Sequence, residues 1–157
     1  MSLVELLTAV AIVGILAGTS ISASRAPLAH QQLLAAARQL EFGIEQARDQ
    51  AMDQQAPCAL ALGKAGWVEP DGGSLPACTQ ATGLLLAGDR GAGLQLSHNI
   101  SELQFTTNGL VLGGGTVRLA VDGLVQERCV VISLPLGITR QGLWSEAQCL
   151  PAPKAQA

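Results

Sequence analysis

The sequence is short of aromatic residues, charges and histidines, and each shortage closes a class of function. Phe and Trp make 3% of the 157 residues, with two of each and no Tyr. That is too few for the stacking platforms on which single-stranded nucleic acids lie. Charged residues make up 13%, with 9 Lys+Arg against 12 Asp+Glu and a net charge of −3. No global field draws in a polyanion or anionic lipid, so any such binding needs a local patch. His30 and His98 are the two histidines, and Cys58, Cys78, Cys129 and Cys149 contain no C-x-x-C, so no zinc-site spacing can be assembled. G-x-S-x-G is missing as well. With no nucleophile set beside an oriented base, no catalytic residue, cofactor or metal is expected.

What is present is apolar. Mean hydropathy is +0.35, high enough that part of the surface is expected to be covered by lipid or partners. Residues 6–24, LLTAVAIVGILAGTSISAS, carry no formal charge. The strongest run, Leu6 to Gly18, falls short of the ~20 residues that cross a bilayer, but the Ser/Thr/Ala tail can complete the span. A secretory signal would need a basic stretch ahead of the run. Here Glu5 precedes it, and no Lys or Arg does.

The cysteines point to an oxidising compartment. Cys58 and Cys78 are as far apart along the chain as Cys129 and Cys149. Four cysteines allow three connectivities, and the equal spacing favours sequential pairing. Two disulfides on a membrane-anchored head belong to a periplasm or the cell exterior.

Four regions follow from the composition: 1–26, the membrane half of a helix; 27–56, its amphipathic half; 57–150, a β head; and 151–157, a flexible tail. The first two read as one long helix. Leu33, Ala37, Leu40, Ile44, Ala47 and Ala51 recur at steps of three and four and form an apolar stripe, leaving Arg38, Glu41, Glu45, Arg48 and Asp49 on a wet face. From Leu3 to about Gln54 such a helix would be about 75 Å long, so half of it must protrude from the head. Pro27 should kink it and Pro57 marks its end. Beyond Pro57 come short β-like runs broken by glycine: CALAL, GWVE, TGLLLA, GLQLS, LQFTT, TVRLAV and LVQERCVVISL. Asn108-Gly109 and Asp122-Gly123 read as type I′ turns, the second closing a hairpin between Val117–Val121 and Leu124–Ile132. Gly113-Gly114-Gly115 lacks the lysine and the following helix of a phosphate loop and reads as a flexible connection.

An acid at the edge of an apolar helix is costly, about 2.5–3.5 kcal/mol at a membrane centre and less toward the ends. Ser2-Leu3-Val4-Glu5 fits a capping box, which is one local reason for it. The opening MSLVELLTAVAIVGIL also resembles the start of mature type IV pilins and pseudopilins, where [FM]-[ST]-L-x-E-L precedes an apolar helix. Met1 stands where that family commonly has Phe. The resemblance implies that a prepilin peptidase removes a leader before Met1, that Met1 is then N-methylated, and that Glu5 serves filament assembly. A buried Glu5 carboxylate could pair with the N-terminal ammonium of a neighbouring subunit.

A second resemblance narrows the family to the GspH/FimT kind. Its members carry an A-R-S-E-A-like segment late in the helix, then strands, then a G-R-x-R-like end. Here these read Ala47-Arg48-Asp49-Gln50-Ala51-Met52, Leu103-Gln104-Phe105-Thr106-Thr107-Asn108-Gly109, Val130-Val131-Ile132-Ser133 and Gly137-Ile138-Thr139-Arg140. The implied fold is α+β and pilin-like: a long N-terminal α-helix on an antiparallel β-sheet head. The implied place is a bacterial inner membrane, single-pass, with a periplasmic head that enters a pilus or pseudopilus. The implied partners are other pilin or pseudopilin subunits.

Two functions compete, besides an anchored hydrolase that lacks its catalytic residues. The first is a minor subunit that initiates or caps a type IV pilus or a type II secretion pseudopilus. The second is a DNA-binding pilin for DNA uptake, in which Arg140 contacts DNA. Ile138 replaces the first arginine of that motif, so DNA is the less favoured partner, and Arg140 is equally a candidate for contact with a neighbouring subunit.

Overall fold

The computed structural model describes residues 4–8, 10, 12, 25–64, 66–82 and 93–151. Residues 4–8, 10 and 12 are helical. Met1, most of the charge-free run, most of TGLLLA and the expected tail after Pro151 lie outside the described residues. Among the described residues no helix is long and apolar enough to cross a membrane.

Helix α1 spans Arg25–Asp53. Pro27 lies near the start of the described part of α1, and the expected kink between the two halves of the helix lies outside the described residues. All six residues of the expected apolar stripe are buried, together with Ala36. The end is a Schellman motif. The Ala56 amide donates to the Ala51 carbonyl and the Gln55 amide to that of Met52, both at 3.3 Å, with Gln55 at a φ of 51°. Gln55 holds the left-handed position that glycine usually takes, and Pro57 follows.

Among the described residues nine strands follow α1: β1 (Cys58–Gly63), β2 (Gly66–Val68), β3 (Leu94–His98), β4 (Leu103–Phe105), β5 (Val111–Leu112), β6 (Gly115–Val121), β7 (Glu127–Ser133), β8 (Ile138–Ser145) and β9 (Gln148–Pro151). They form two antiparallel sheets, ordered β2-β1-β4-β5 and β3-β6-β7-β8-β9. The stripe of α1 packs on both, in one core with Leu60, Trp67, Leu103, Phe105, Val117, Leu119, Val130 and Ile132. This is the α+β arrangement that the sequence implies.

Three expectations need correction. The β6–β7 hairpin exists, but positive φ falls on Gly109 (74°) and Gly123 (85°) and not on Asn108 or Asp122, so neither turn is type I′. The two-residue turn with both angles positive joins β8 to β9 and consists of Glu146 (49°) and Ala147 (62°). The triple glycine is no flexible connection. Gly115 opens β6, and the backbone of Gly113 and Gly114 passes tightly against the carbonyls of Glu102 and Ile132, leaving no room for side chains. The wet face of α1 is also narrower than expected. Glu41 accepts a 2.7 Å hydrogen bond from Gln141, and Arg48 reaches across to a loop of the head.

Strands β8 and β9 follow the last β-like run recognised in the sequence. ITRQGLWS lacks clean alternation and carries Gly142 in its interior, features that weigh against a strand. The structure supplies the reason for the glycine. A Cβ on Gly142 would lie 2.2 Å from the Leu150 carbonyl oxygen and 2.9 Å from Cys149 Sγ, because β9 curls close over this point.

Candidate functional site

The two disulfides pair neighbours in the chain, Cys58 with Cys78 and Cys129 with Cys149. The first ties β1 to the segment that holds Cys78, where Ala59 and Ala77 also bridge. There the buried Gln50 side chain of α1 accepts a 2.9 Å hydrogen bond from the Gln80 amide. The second fastens β9 onto β7 across β8. It lies on the sheet face turned away from α1, since Val117, Leu119, Val130 and Ile132 point to the core.

Of the residues marked out in the sequence, Glu5 is exposed on the N-terminal helical segment, and its backbone carbonyl accepts a 2.9 Å bond from the Thr8 hydroxyl. Around it Val4, Leu6, Leu7, Val10 and Ile12 are each about 60% exposed. At 100° per residue these five point to all sides of the helix.

Arg48 is a clamp inside the subunit. Its guanidinium donates to the Leu136 carbonyl in the β7–β8 loop, and its stem lies against Gly109. The Val111 amide donates to the neighbouring carbonyl, that of Pro135, at 2.8 Å. Helix, β4–β5 turn and β7–β8 loop are thus held at one corner. Arg140 lies elsewhere, exposed on β8 opposite Val131, and borders a small cleft with Ser133, Leu150 and Pro151. Arg48 and Arg140 therefore form no common basic patch.

The larger cleft was not legible in the sequence. It opens on the outer face of the second sheet with a volume of about 560 Å³. Thr116, Arg118 and Val131 form its floor, the end of β3 one wall, and Trp144 with the β8–β9 hairpin the other. Arg118 and Glu127 are diagonal neighbours across β6 and β7 and form a two-pronged ion pair, Nε and Nη2 each 2.5 Å from a carboxylate oxygen. Those hydrogen bonds, more than the bare charge, hold the Glu127 carboxyl below its ordinary range and raise the guanidinium, against the opposing effect of burial. The guanidinium also stands 5.6 Å from the Trp144 ring centre. Among the described residues no group of His, Cys, Asp and Glu is arranged to hold a metal ion.

Comparison with known proteins places this geometry. The family described as type II transport protein GspH matches residues 36–136, which run from the buried stripe of α1 into the β7–β8 loop. The crystal structure of the type IV minor pilin FimU from Pseudomonas aeruginosa strain PAO1 is similar in fold. Its TM-score is 0.50 at 22% identity, and the match covers 78% of this chain and 96% of that one. No curated protein matches.

Proposed function

We propose, given that this chain belongs to the family of the type II transport protein GspH, that it is a minor pilin or pseudopilin subunit, which assembles into, initiates or caps an envelope filament. The observation that carries this reading is the N-terminal helical segment. Val4, Leu6, Leu7, Val10 and Ile12 leave apolar surface exposed all round it, and a single head has no means of covering that surface. The same segment suits the inner membrane before assembly and a bundle of like helices after it.

Under this reading 1–26 is the membrane and filament-core half of the helix and 27–56 the half that carries the head. Prepilin peptidase exposes Met1, which is methylated, and Glu5 pairs with the amino terminus of a neighbouring subunit during assembly. The head, with its two disulfides, matures in the periplasm. The role is structural and calls for no catalytic group.

The experiment is Glu5→Leu in the native host. The variant is expected in the inner membrane at normal abundance and missing from sheared filaments. Normal entry into filaments would remove the assembly role of Glu5.

A further inference from the structure

The cleft on the outer face of the second sheet lies on the side of the head turned away from α1, so the filament reading makes no use of it. Its chemistry is specific. Arg118 is the cation on its floor, and Glu127 takes one N–H each of Nε and Nη2, leaving the second N–H of Nη2 and the two of Nη1. The paired carboxylate cancels the charge, so a phosphate or sulfate gains little there and meets a neighbouring anion.

What remains around the cleft is a ring of neutral hydrogen-bonding groups. Asn99 and Thr116 both line the cleft, and Asn99 Oδ1 accepts from the Thr116 amide at 2.7 Å. His98 Nδ1 lies 2.8 Å from the Ile100 carbonyl, which can only accept, so Nδ1 donates there and Nε2 is the ring nitrogen left over. Gln148 adds an amide on the opposite wall, and Trp144 an apolar plane beside it. The wall is built to stay: the Cys129–Cys149 disulfide pins β9 to β7, and Gly142 lets it lie close.

A shallow cleft with one indole, several uncharged donors and acceptors and a neutralised guanidinium matches a ligand bearing many hydroxyls on an apolar ring face. We propose that this cleft is a binding site for neutral saccharides. Its volume of about 560 Å³ lies within the range of small-ligand sites, roughly 300–1,000 Å³. The Trp144 indole, beside the Arg118 guanidinium, offers apolar surface to the C–H groups of a sugar, while Arg118, Asn99 and Gln148 meet its hydroxyls. A head that carries this site would hold a filament to polysaccharide.

The test uses the full-length chain in lauryldimethylamine oxide, a detergent without a sugar headgroup. It is titrated calorimetrically with the tetramers of β-1,4-N-acetylglucosamine, β-1,4-glucose and α-1,4-glucose. At least one should bind with a Kd below about 10 mM, and Trp144→Ala should weaken it by about tenfold or more. Gln148→Ala, at an exposed position, should weaken it without altering the circular dichroism spectrum, and it decides the matter if the Trp144 variant misfolds. Absence of binding by all three sugars overturns the proposal, as does binding that neither variant alters. Heparin binding lost in the same variants also overturns it, because the cleft would then read anions. Filament entry is scored separately, so failure here leaves the subunit role standing.

Discussion

Gly43 and Trp67 meet face to face: a Cβ on Gly43 would lie 2.2 Å from Trp67 Cδ1. The indole is 2% exposed and its Nε1 donates to the Leu40 carbonyl at 3.1 Å, so it cannot retreat without losing both burial and partner. In an unconstrained helix, Gly→Ala stabilises by about 1 kcal/mol. Here the sign should reverse. Gly43→Ala is expected to destabilise by about 1–3 kcal/mol through overpacking, read as a lower urea midpoint at unchanged slope. A gain in stability would show that the helix does not rest on Trp67.

Ala147 lies at a φ of 62° in the β8–β9 turn, a left-handed position where its Cβ is a burden. Ala147→Gly relieves about 1–2 kcal/mol of local strain and costs some unfolded-state entropy, so a net gain of about 0.5–1 kcal/mol is expected in thermal unfolding. A loss of stability would contradict the turn assignment.

The Arg118–Glu127 pair sets a pH dependence. The Glu127 carboxyl is held below its ordinary value of 4.5, first by the hydrogen bonds from Arg118. A lowered folded-state value contributes stability that is present above the unfolded value and is lost as pH falls through the folded one. The stability difference between the wild type and Glu127→Gln should therefore stay constant from about pH 7 to pH 5 and shrink below about 4.5. Denaturant titrations across that range check it, and a difference that widens in acid would refute the pairing.

DNA binding is expected to be weak or nil. Affinity for a phosphate backbone needs several cations on one face. Arg118 is committed to Glu127 and Arg48 to the Leu136 carbonyl, and Arg128 is half-buried, with Nε out of solvent and without a partner among the described residues. That leaves Arg140 as the exposed arginine of β7 and β8. A mobility shift of the full chain at about 150 mM salt should show no retention at micromolar protein. Retention that Arg140→Ala abolishes would favour the DNA-uptake reading.

These features differ in how far the sequence revealed them. The stripe from Leu33 to Ala51 was legible because helical periodicity is local, and strands β1, β3, β4 and β6 because their apolar runs sit between turn residues. The roles of Arg48 and Gly142 were not, because each depends on a partner brought close only by the fold. Arg48 meets a carbonyl 88 positions away, and Gly142 gives way to a strand that a disulfide draws over it. The positive angles went to Glu146 and Ala147 because the β8–β9 register demands a two-residue turn there, whatever its residues prefer. Gly43, inside a run of strong helix formers, was the one available sign that something large approaches the helix. The cleft left no linear signature, because Asn99, Arg118 and Trp144 come from three separate elements.

The most direct test of the subunit role is quantitative mass spectrometry of sheared filaments from the native host, with the assembly motor intact and with it deleted. The account predicts head peptides in the filament fraction, far fewer copies than of the main subunit, and their loss when the motor is deleted while the protein persists in the inner membrane. Absence from the filaments of motor-competent cells, or equal recovery with and without the motor, would contradict it.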